Sequence, residues 1–283
     1  MASETGTSRG ALLAAAAELL HDAESGSRRE AHRLWAGLFD DPAAALMPPD
    51  APIDHDRAEG FLDAARRRAA GEPLAHVTGR AGFRHLTLAC DRRALIPRPE
   101  TEGLVELVLA HAPAGRLADV GTGSGCIALS LASEGGYEQV IGIDISADAL
   151  NLARENRART GARLALVRGD LCAPLAAGSL DALVSNPPYL TAAEHAALDE
   201  SVRAWEPALA LSGGADGLAV VSRLLEAGRT VLRPGGWLAL EIDCARAAHC
   251  AQRAGALGWS DVAIHADLFG RERYLLARRS DAP

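Results

Sequence analysis

Lysine is absent from this chain of 283 residues, so all 29 of its basic residues are arginine. We interpret this as a bias of composition and derive no function from it. Acidic residues outnumber basic ones, and the net charge at pH 7 is −8. Because affinity for nucleic acid depends largely on neutralising phosphates, this charge disfavours a general nucleic-acid binder. We therefore expect no direct nucleic-acid partner.

Paired cysteines, metal-ligand spacings and long apolar runs are missing as well. The five cysteines are scattered and never form a C-x-x-C pair, which favours buried thiols in a reducing, cytoplasmic compartment. The nine histidines show no ligand spacing with cysteines or acids, so we expect no metal. No apolar stretch approaches the roughly 20 residues of a membrane span, so we expect no membrane partner.

The first 75 residues are predicted to form a small helical bundle. Segments 11–21, 27–39 and 56–70 carry alanine, leucine and arginine at helical spacing. Residues 76–96 are predicted to be a linker that contains a hairpin of two short strands around Gly79 to Gly82. A helix resumes at Thr101, within a catalytic domain expected over residues 97–283.

From residue 116 onward, apolar strand-like runs alternate with helical segments, as in a parallel, doubly wound α/β sheet. The predicted strands are 117–120, 140–145, 164–168, 182–185 and 237–242, and the helices are 126–133, 147–160 and 217–232. After a helix at 245–257, two strands at 262–265 and 274–277 are joined by a loop alone and should pair antiparallel. Such a sheet resembles the seven-stranded, Rossmann-like sheet of class I methyltransferases.

A glycine-rich loop closes the first of these strands and opens a helix. It reads Asp119-Val-Gly-Thr-Gly-Ser-Gly125, and glycines let a backbone turn sharply and approach a ligand closely. A dinucleotide fingerprint would need glycine in place of Cys126, and a phosphate loop would need Gly-Lys-Ser/Thr. The spacing fits an S-adenosylmethionine loop better. We predict that this cofactor contacts Gly121, Thr122, Gly123, Ser124 and Gly125.

The next two strands each end near an acid. Asp144 ends the second strand, where a carboxylate can accept hydrogen bonds from both ribose hydroxyls. Its alternative role is an N-cap for the following helix, but Ser146 suits that position better. The third strand ends where the adenine should lie. Asp170 would meet the adenine amino group and Leu171 would pack on its face, although a plain turn explains this segment nearly as well.

Ser185-Asn-Pro-Pro-Tyr189 follows a short apolar run and is the most informative segment of the chain. Neither proline can donate a ladder hydrogen bond, so the chain leaves the sheet at a strand's carboxyl end, where ligands bind in open α/β sheets. The Asn186 side-chain oxygen and the Pro187 carbonyl can accept hydrogen bonds from both N–H groups of a planar, amide-like nitrogen. Tyr189 can stack on that acceptor, with Pro188 beside it. We predict methyl transfer with Asn186, Pro187 and Tyr189 as catalytic residues.

Several motifs together resemble the release factor glutamine methyltransferase family. They are Gly71-Glu-Pro-Leu-Ala-His-Val-Thr-Gly79, Phe83, Leu95-Ile-Pro-Arg-Pro-Glu-Thr-Glu102, Ser185-Asn-Pro-Pro-Tyr189, Glu206-Pro207, Ala210-Leu-Ser-Gly-Gly214 and Arg233-Pro-Gly-Gly-Trp237. The resemblance implies methylation of the glutamine in the Gly-Gly-Gln tip of bacterial class 1 release factors (factors 1 and 2). It also implies that the glycine loop, Asp144, Leu171 and Asn186 contact S-adenosylmethionine, that residues 186–189 hold the substrate glutamine, and that the helical N-terminal domain grips the release factor.

Three alternatives stay open at the level of the sequence. The first is a sister enzyme that methylates a ribosomal-protein glutamine. The second is a nucleic-acid adenine-N6 methyltransferase, which would need base flipping and a basic groove. The third is a non-catalytic adaptor with a degenerate fold. The chain also departs from the family at Leu171, where many members have an aromatic residue, and at Asp243, where many have glycine. Asp243 comes two residues after Glu241, so this departure leaves two interpretations of Glu241: it has a functional role, or it simply ends the fifth predicted strand.

Overall fold

The computed structural model of the protein describes residues 7–21, 26–39, 47–199 and 203–280. Contacts divide the chain into two compact units, each described by itself below. The first consists of Met1–Arg80 with Asp199–Trp205, and the second of Ala81–Leu198 with Glu206–Pro283. We call them the helical unit and the α/β unit.

The helical unit contains α1 (Arg9–Leu19), α2 (Ser27–Leu38), α3 (His55–Ala69) and α4 (Leu74–Thr78). Side-chain caps fix two of the helix starts: Ser8 accepts from the Ala11 N–H, and Asp54 accepts from the Arg57 N–H. Trp35 and Phe61 pack edge to face at 4.9 Å in a core that also buries leucines and alanines of α1, α2 and α3. The predicted helical bundle is confirmed.

A two-stranded hairpin follows, formed by β1 (Arg80–Phe83) and β2 (Leu86–Ala89). The predicted turn around Gly79 to Gly82 is wrong. Gly79 has φ +68° and ends α4 as its left-handed cap, whereas Gly82 lies inside β1. The turn is at Arg84, whose φ is +49° and whose backbone N–H donates to Glu102. Side-chain partners therefore stabilise a conformation that usually favours glycine.

The α/β unit alternates helices and strands. They are α5 (Pro99–His111), β3 (Ala114–Val120), α6 (Cys126–Glu134), β4 (Gly136–Asp144), α7 (Ala147–Thr160), β5 (Ala165–Arg168), β6 (Leu180–Ser185), α8 (Ala192–Ala196), α9 (Ala219–Val231), β7 (Leu232–Glu241), α10 (Ala247–Ala256), β8 (Trp259–Ala266) and β9 (Glu272–Arg279).

The seven strands β3 to β9 form one sheet in the order β5-β4-β3-β6-β7-β9-β8, separate from the β1-β2 hairpin. The first five strands in this order pair in parallel, and β9 pairs antiparallel with both β7 and β8. This arrangement confirms the predicted doubly wound α/β class with a terminal antiparallel hairpin. The strand order reverses between β3 and β6. Ligands of open α/β sheets bind at such a switch point, outside the carboxyl ends of the strands.

Apolar layers cover both faces of the sheet. Ala118 and Val120 of β3 belong to one buried cluster, which includes residues of α9 and α10, and Leu117 belongs to the other, with residues of α5 and α6. Residues 117–120 are therefore buried on both faces, as parallel strands usually are. Among the described residues, no helix combines the length and apolarity that a bilayer crossing requires.

Candidate active site

A cleft of about 290 Å³ opens at the switch point of the sheet. Its walls come from the segments that follow β3, β4, β5 and β6 and from residues 93–98, all within the α/β unit. Its volume is near the lower end of small-molecule sites, which span roughly 300–1,000 Å³. Two apolar side chains on its walls are well exposed, Ile145 at 49% and Leu209 at 59%. A ligand with an apolar face would cover them.

The predicted glycine loop forms one wall of this cleft. Gly121, Gly123 and Gly125 have φ values of +74°, +56° and +84°. A side-chain carbon added at Gly121 would meet no atom of the described residues within 4 Å, so this position opens onto free space. Gly125 is different, because it does not line the cleft and instead faces Leu129 of α6. The cleft wall thus contains four of the five loop residues that were predicted to contact the cofactor, namely Gly121, Thr122, Gly123 and Ser124. Gly125 instead directly precedes α6 and faces that helix.

Asp119 lies beneath the loop and is completely buried. One carboxylate oxygen accepts hydrogen bonds from the Thr122 hydroxyl at 2.6 Å and from the Ala128 N–H at 3.2 Å. The other oxygen has no hydrogen-bond partner in the described part of the chain. Burial raises the pKa of Asp119 to about 7, against the effect of these two hydrogen bonds. Asp119 therefore ties the loop to α6 from inside and does not face the cleft.

Asp144 lies at the end of β4 and lines the cleft. One of its oxygens accepts from the Gly123 N–H and the other from the Ser146 N–H, each at 2.9 Å. Ser146 caps α7 by accepting from Ala149, so Asp144 is not the cap. Each carboxylate oxygen can accept a further hydrogen bond, which leaves Asp144 able to receive two ligand hydroxyls.

Asp170 and Leu171 line the far side of the cleft, after β5. Asp170 forms an ion pair with Arg223 of α9 at 2.6 Å, and both side chains are about half exposed. Leu171 has φ +47° and packs partly against the core. Because a left-handed backbone is costly for leucine, the turn that presents Leu171 must be held by its surroundings. The sequence did not indicate the partnership with Arg223.

Asn186 and Pro188 line the opposite side, directly after β6. The Ser185 hydroxyl donates to the Val120 carbonyl at 2.6 Å, which joins the ends of β6 and β3. The Asn186 side-chain nitrogen donates to the Thr101 hydroxyl at 3.1 Å. Pro187 is buried. The structure thus brings Asn186 to the same cleft as the glycine loop and Asp144.

Asn186, Pro187 and Pro188 form a corner directly after β6. Tyr189 lies next to this corner but is not part of the cleft wall. Burial raises its pKa, while the positive charge of the Arg273 guanidinium acts in the opposite direction. Arg273 also donates to Asp267 at 2.9 Å. Tyr189 is therefore close to a positively charged side chain of β9. Its backbone is in close contact with Gly213, where an added side-chain carbon would lie 2.7 Å from the Tyr189 Cα.

Sequence reasoning left individual roles in segment 97–102 unassigned, and the structure supplies two of them. Arg98 pairs with Glu206, a buried carboxylate that also accepts from the Ile96 N–H. Thr101 is buried against Glu241 of β7. Both pairs join residues more than 100 positions apart in the chain, so no local spacing could reveal them. Within the described ranges, no group of three or more His, Cys, Asp or Glu side chains could hold a metal ion.

Comparisons with known proteins agree with this geometry. Residues 100–214 match the sequence model of the methyltransferase small domain, and residues 11–79 match that of the PrmC N-terminal domain. A release factor glutamine methyltransferase from Deinococcus radiodurans is 43% identical over 240 residues, which cover 84% of this chain and 85% of the relative. One from Cereibacter sphaeroides is 40% identical over 253 residues, which cover 88% and 90%.

The chain belongs to the release factor glutamine methyltransferase family.

The resemblance inferred from the motifs is therefore confirmed, and the fold agrees with it. A solved methyltransferase from Pyrococcus furiosus superposes with a TM-score of 0.53 at 20% identity, covering 80% of this chain and all of that one. At this level of identity the similarity shows the fold alone.

The cleft of this family member fits the cofactor that its fold class uses. S-adenosylmethionine is an adenosine joined to a sulfonium-bearing amino acid. Asp144 offers acceptors for ribose hydroxyls, Ile145 and Leu171 offer apolar surface for a base, and the free space above Gly121 leaves room close to the backbone.

Proposed function

We propose that this chain methylates the side-chain amide nitrogen of a glutamine in a bacterial release factor, with S-adenosylmethionine as methyl donor. The observation that supports this most strongly is the place of Asn186, on the wall of the cleft that the glycine loop and Asp144 also line. An acceptor held at Asn186 would thus lie beside the bound cofactor. The high identity to release factor glutamine methyltransferases makes glutamine the preferred acceptor.

The proposed roles of the cofactor residues follow their positions. Asp144 accepts from the ribose hydroxyls, and Leu171 packs on the adenine. Asp170 meets the adenine amino group and keeps its ion pair with Arg223 at the rim. Gly121 to Ser124 approach the ligand through the backbone, since their side chains are small or turned away from it. When bound, S-adenosylmethionine supplies a methyl group on a positively charged sulfur, which is already an activated donor.

The chain's own work is to position the acceptor. An amide nitrogen is a poor nucleophile because its lone pair is delocalised into the carbonyl. The Asn186 oxygen and the Pro187 carbonyl accept hydrogen bonds from its two N–H groups, which aligns the nitrogen and stabilises the positive charge that develops on it. Tyr189 packs on the flat amide, with Pro188 beside it. The nitrogen loses one proton to water, and no strong base is needed.

We further propose that the chemistry belongs to residues 97–283, that residues 76–96 are a linker, and that residues 1–75 grip the release factor. The match of residues 11–79 to the PrmC N-terminal domain supports a separate role for the helical unit. The finer assignment is to the Gly-Gly-Gln tip of release factors 1 and 2. Because release factors act on ribosomes, the proposed site of action is the cytoplasm.

Transfer of tritiated methyl groups tests this proposal. The purified chain is incubated with labelled S-adenosylmethionine and either wild-type release factor 1 or 2 or a variant whose tip glutamine is replaced by alanine. We expect label on the wild-type factors only. Equal labelling of the two forms, or label only on ribosomal proteins or nucleic acid offered in parallel, would refute the assignment.

A further inference from the structure

The amide of Asn186 can serve a glutamine N–H only if its oxygen points towards the acceptor. An asparagine amide is nearly symmetric in shape, so rotation by 180° exchanges an acceptor for a donor at little steric cost. In the rotated state, N–H groups would face the N–H groups of the substrate, and the charge that develops on the nitrogen would be destabilised. Something in the protein must therefore fix the orientation of Asn186.

The contacts of Asn186 supply such a constraint. Its nitrogen donates to the Thr101 hydroxyl at 3.1 Å, and that hydroxyl donates its only proton to a carboxylate oxygen of Glu241 at 2.7 Å. With the proton committed to Glu241, the Thr101 oxygen offers only lone pairs to Asn186. The Glu241 carboxylate thus reaches Asn186 through the Thr101 hydroxyl. A rotated amide would place its oxygen against these lone pairs.

The pair is built into rigid parts of the fold. Thr101 and Glu241 are each only 2% exposed. Thr101 lies in the first turn of α5, and Glu241 is the last residue of β7. Tyr274 of β9 is the register partner of Glu241, and its hydroxyl donates to the Glu100 carbonyl in the same turn of α5. Tyr274 thus contacts both the strand end that carries Glu241 and the helix turn that carries Thr101, and it stabilises the position of both residues.

We propose that Thr101 and Glu241 are positioning residues that hold the Asn186 oxygen towards the acceptor amide. The inference rests on the proposed function. It specifies how the protein fixes the orientation of the Asn186 amide and, through it, that of the substrate amide. Neither residue takes a proton from the substrate. Thr101 also lines the cleft, but it is almost fully buried, so we expect the effect of the pair to reach the reaction through Asn186 and to change turnover more than binding.

Replacing Thr101 tests the chain of hydrogen bonds from Glu241 to Asn186. Valine has nearly the shape of threonine without its hydroxyl, whereas serine has the hydroxyl without the methyl. We expect Thr101→Val to lower kcat by about 10–100-fold, with KM for the release factor and the dissociation constant of S-adenosylhomocysteine within about threefold of wild type. Thr101→Ser should keep kcat within about fivefold, since the hydroxyl is retained. Burial raises the pKa of Glu241 to about 7, so assays at about pH 8.5 keep this carboxylate largely ionised.

Two further variants keep the test decisive. Glu241→Gln preserves shape but can donate an N–H to the Thr101 hydroxyl, which frees the hydroxyl proton for Asn186, so we expect kcat to fall by about tenfold even if Thr101→Val does not fold. Ser130→Ala is the matched control: it removes another fully buried hydroxyl, which lies on α6 and does not line the cleft, and should leave kcat unchanged. Thermal unfolding and binding of S-adenosylhomocysteine verify that each variant is folded.

The inference is overturned if the folded Thr101→Val and Glu241→Gln variants keep kcat within about threefold of wild type. It is also overturned if Thr101→Ser loses as much activity as Thr101→Val, because the hydroxyl would then not be the active feature. These outcomes differ from failure of the proposed function, in which the wild-type chain itself would not label the release factor.

Discussion

At the scale of single residues, Asn186 is the side chain on which the proposed chemistry depends. Asn186→Ala removes the acceptor oxygen, and we expect kcat to fall by at least about 100-fold. The affinity for S-adenosylhomocysteine should fall only a few-fold, since several other groups line the cleft. Steady-state kinetics and calorimetry measure the two effects. A variant whose turnover stays within severalfold of wild type would rule out the proposed role of Asn186.

Asp119 makes a different prediction, about stability against pH. Burial raises its pKa in the folded protein to about 7, whereas an unfolded chain has the ordinary value near 4. The folded state therefore binds this proton more tightly, and its contribution to stability is full below about pH 4 and is lost as the pH rises through about 7. Asparagine has a similar shape and cannot ionise.

The unfolding temperature of Asp119→Asn minus that of wild type should accordingly increase between pH 5 and pH 8, by roughly 5 °C. The comparison removes the contribution of Glu241, whose pKa burial also raises, because that residue is present in both proteins. Scanning calorimetry at several pH values gives the result. A difference that is constant with pH would show that Asp119 titrates normally.

At the scale of elements, the segment after β6 is held by its neighbours, and Gly213 packs closely against it. A side-chain carbon there would lie 2.7–2.8 Å from backbone atoms of Pro188 and Tyr189, which cannot move without shifting the substrate corner. Gly213→Ala should destabilise the protein by about 1–3 kcal/mol and lower turnover by at least about tenfold.

Gly255→Ala is the matched control for this substitution. Gly255 is an exposed residue of α10, and an added carbon there would have no atom within 4 Å in the part of the chain that the structure describes. Alanine there should stabilise the helix by about 0.5–1 kcal/mol and leave turnover unchanged. Urea unfolding and kinetics compare the two. Equal stability of the two alanine variants would contradict the close packing inferred at Gly213.

The sequence predicted most elements because the signals that define them are local. The helix Ala147–Thr160 matches the predicted bounds, since Ser146 caps its start and Gly161 ends it in the left-handed region. The hairpin turn at Arg84 was missed because acidic residues that are distant in the chain, such as Glu102 and Glu134, hold it. Glycines nearby gave a stronger but misleading local signal.

The candidate site shows the same difference between features that local sequence signals predict and contacts between residues that are distant in the chain. The glycine loop, Asp144 and Asn186 follow predicted strands, and the topology of a doubly wound sheet brings strand ends together. The partners of these residues could not be predicted. Thr101 and Glu241 lie 140 positions apart, and Asp170 and Arg223 lie 53 apart, so only the folded chain shows that they meet.

At the scale of the whole molecule, the proposed division of labour between the two units has a consequence for the substrate. If the helical unit grips a part of the release factor away from its tip, a short peptide with the Gly-Gly-Gln sequence lacks that contact. We expect kcat/KM for the peptide to be at least about 100-fold below that for the intact factor, mainly through KM. Parallel methylation assays measure this ratio. Equal values would leave the helical unit without a role in recognition.

The central claim is that the cofactor's reacting group and the acceptor amide meet at the corner after β6. A crystal structure of the chain with S-adenosylhomocysteine tests this most directly. We predict that the ribose lies against Asp144, the adenine lies against Leu171 and the sulfur points towards Asn186. Clear density for the nucleoside at any other place in the molecule would contradict the claim.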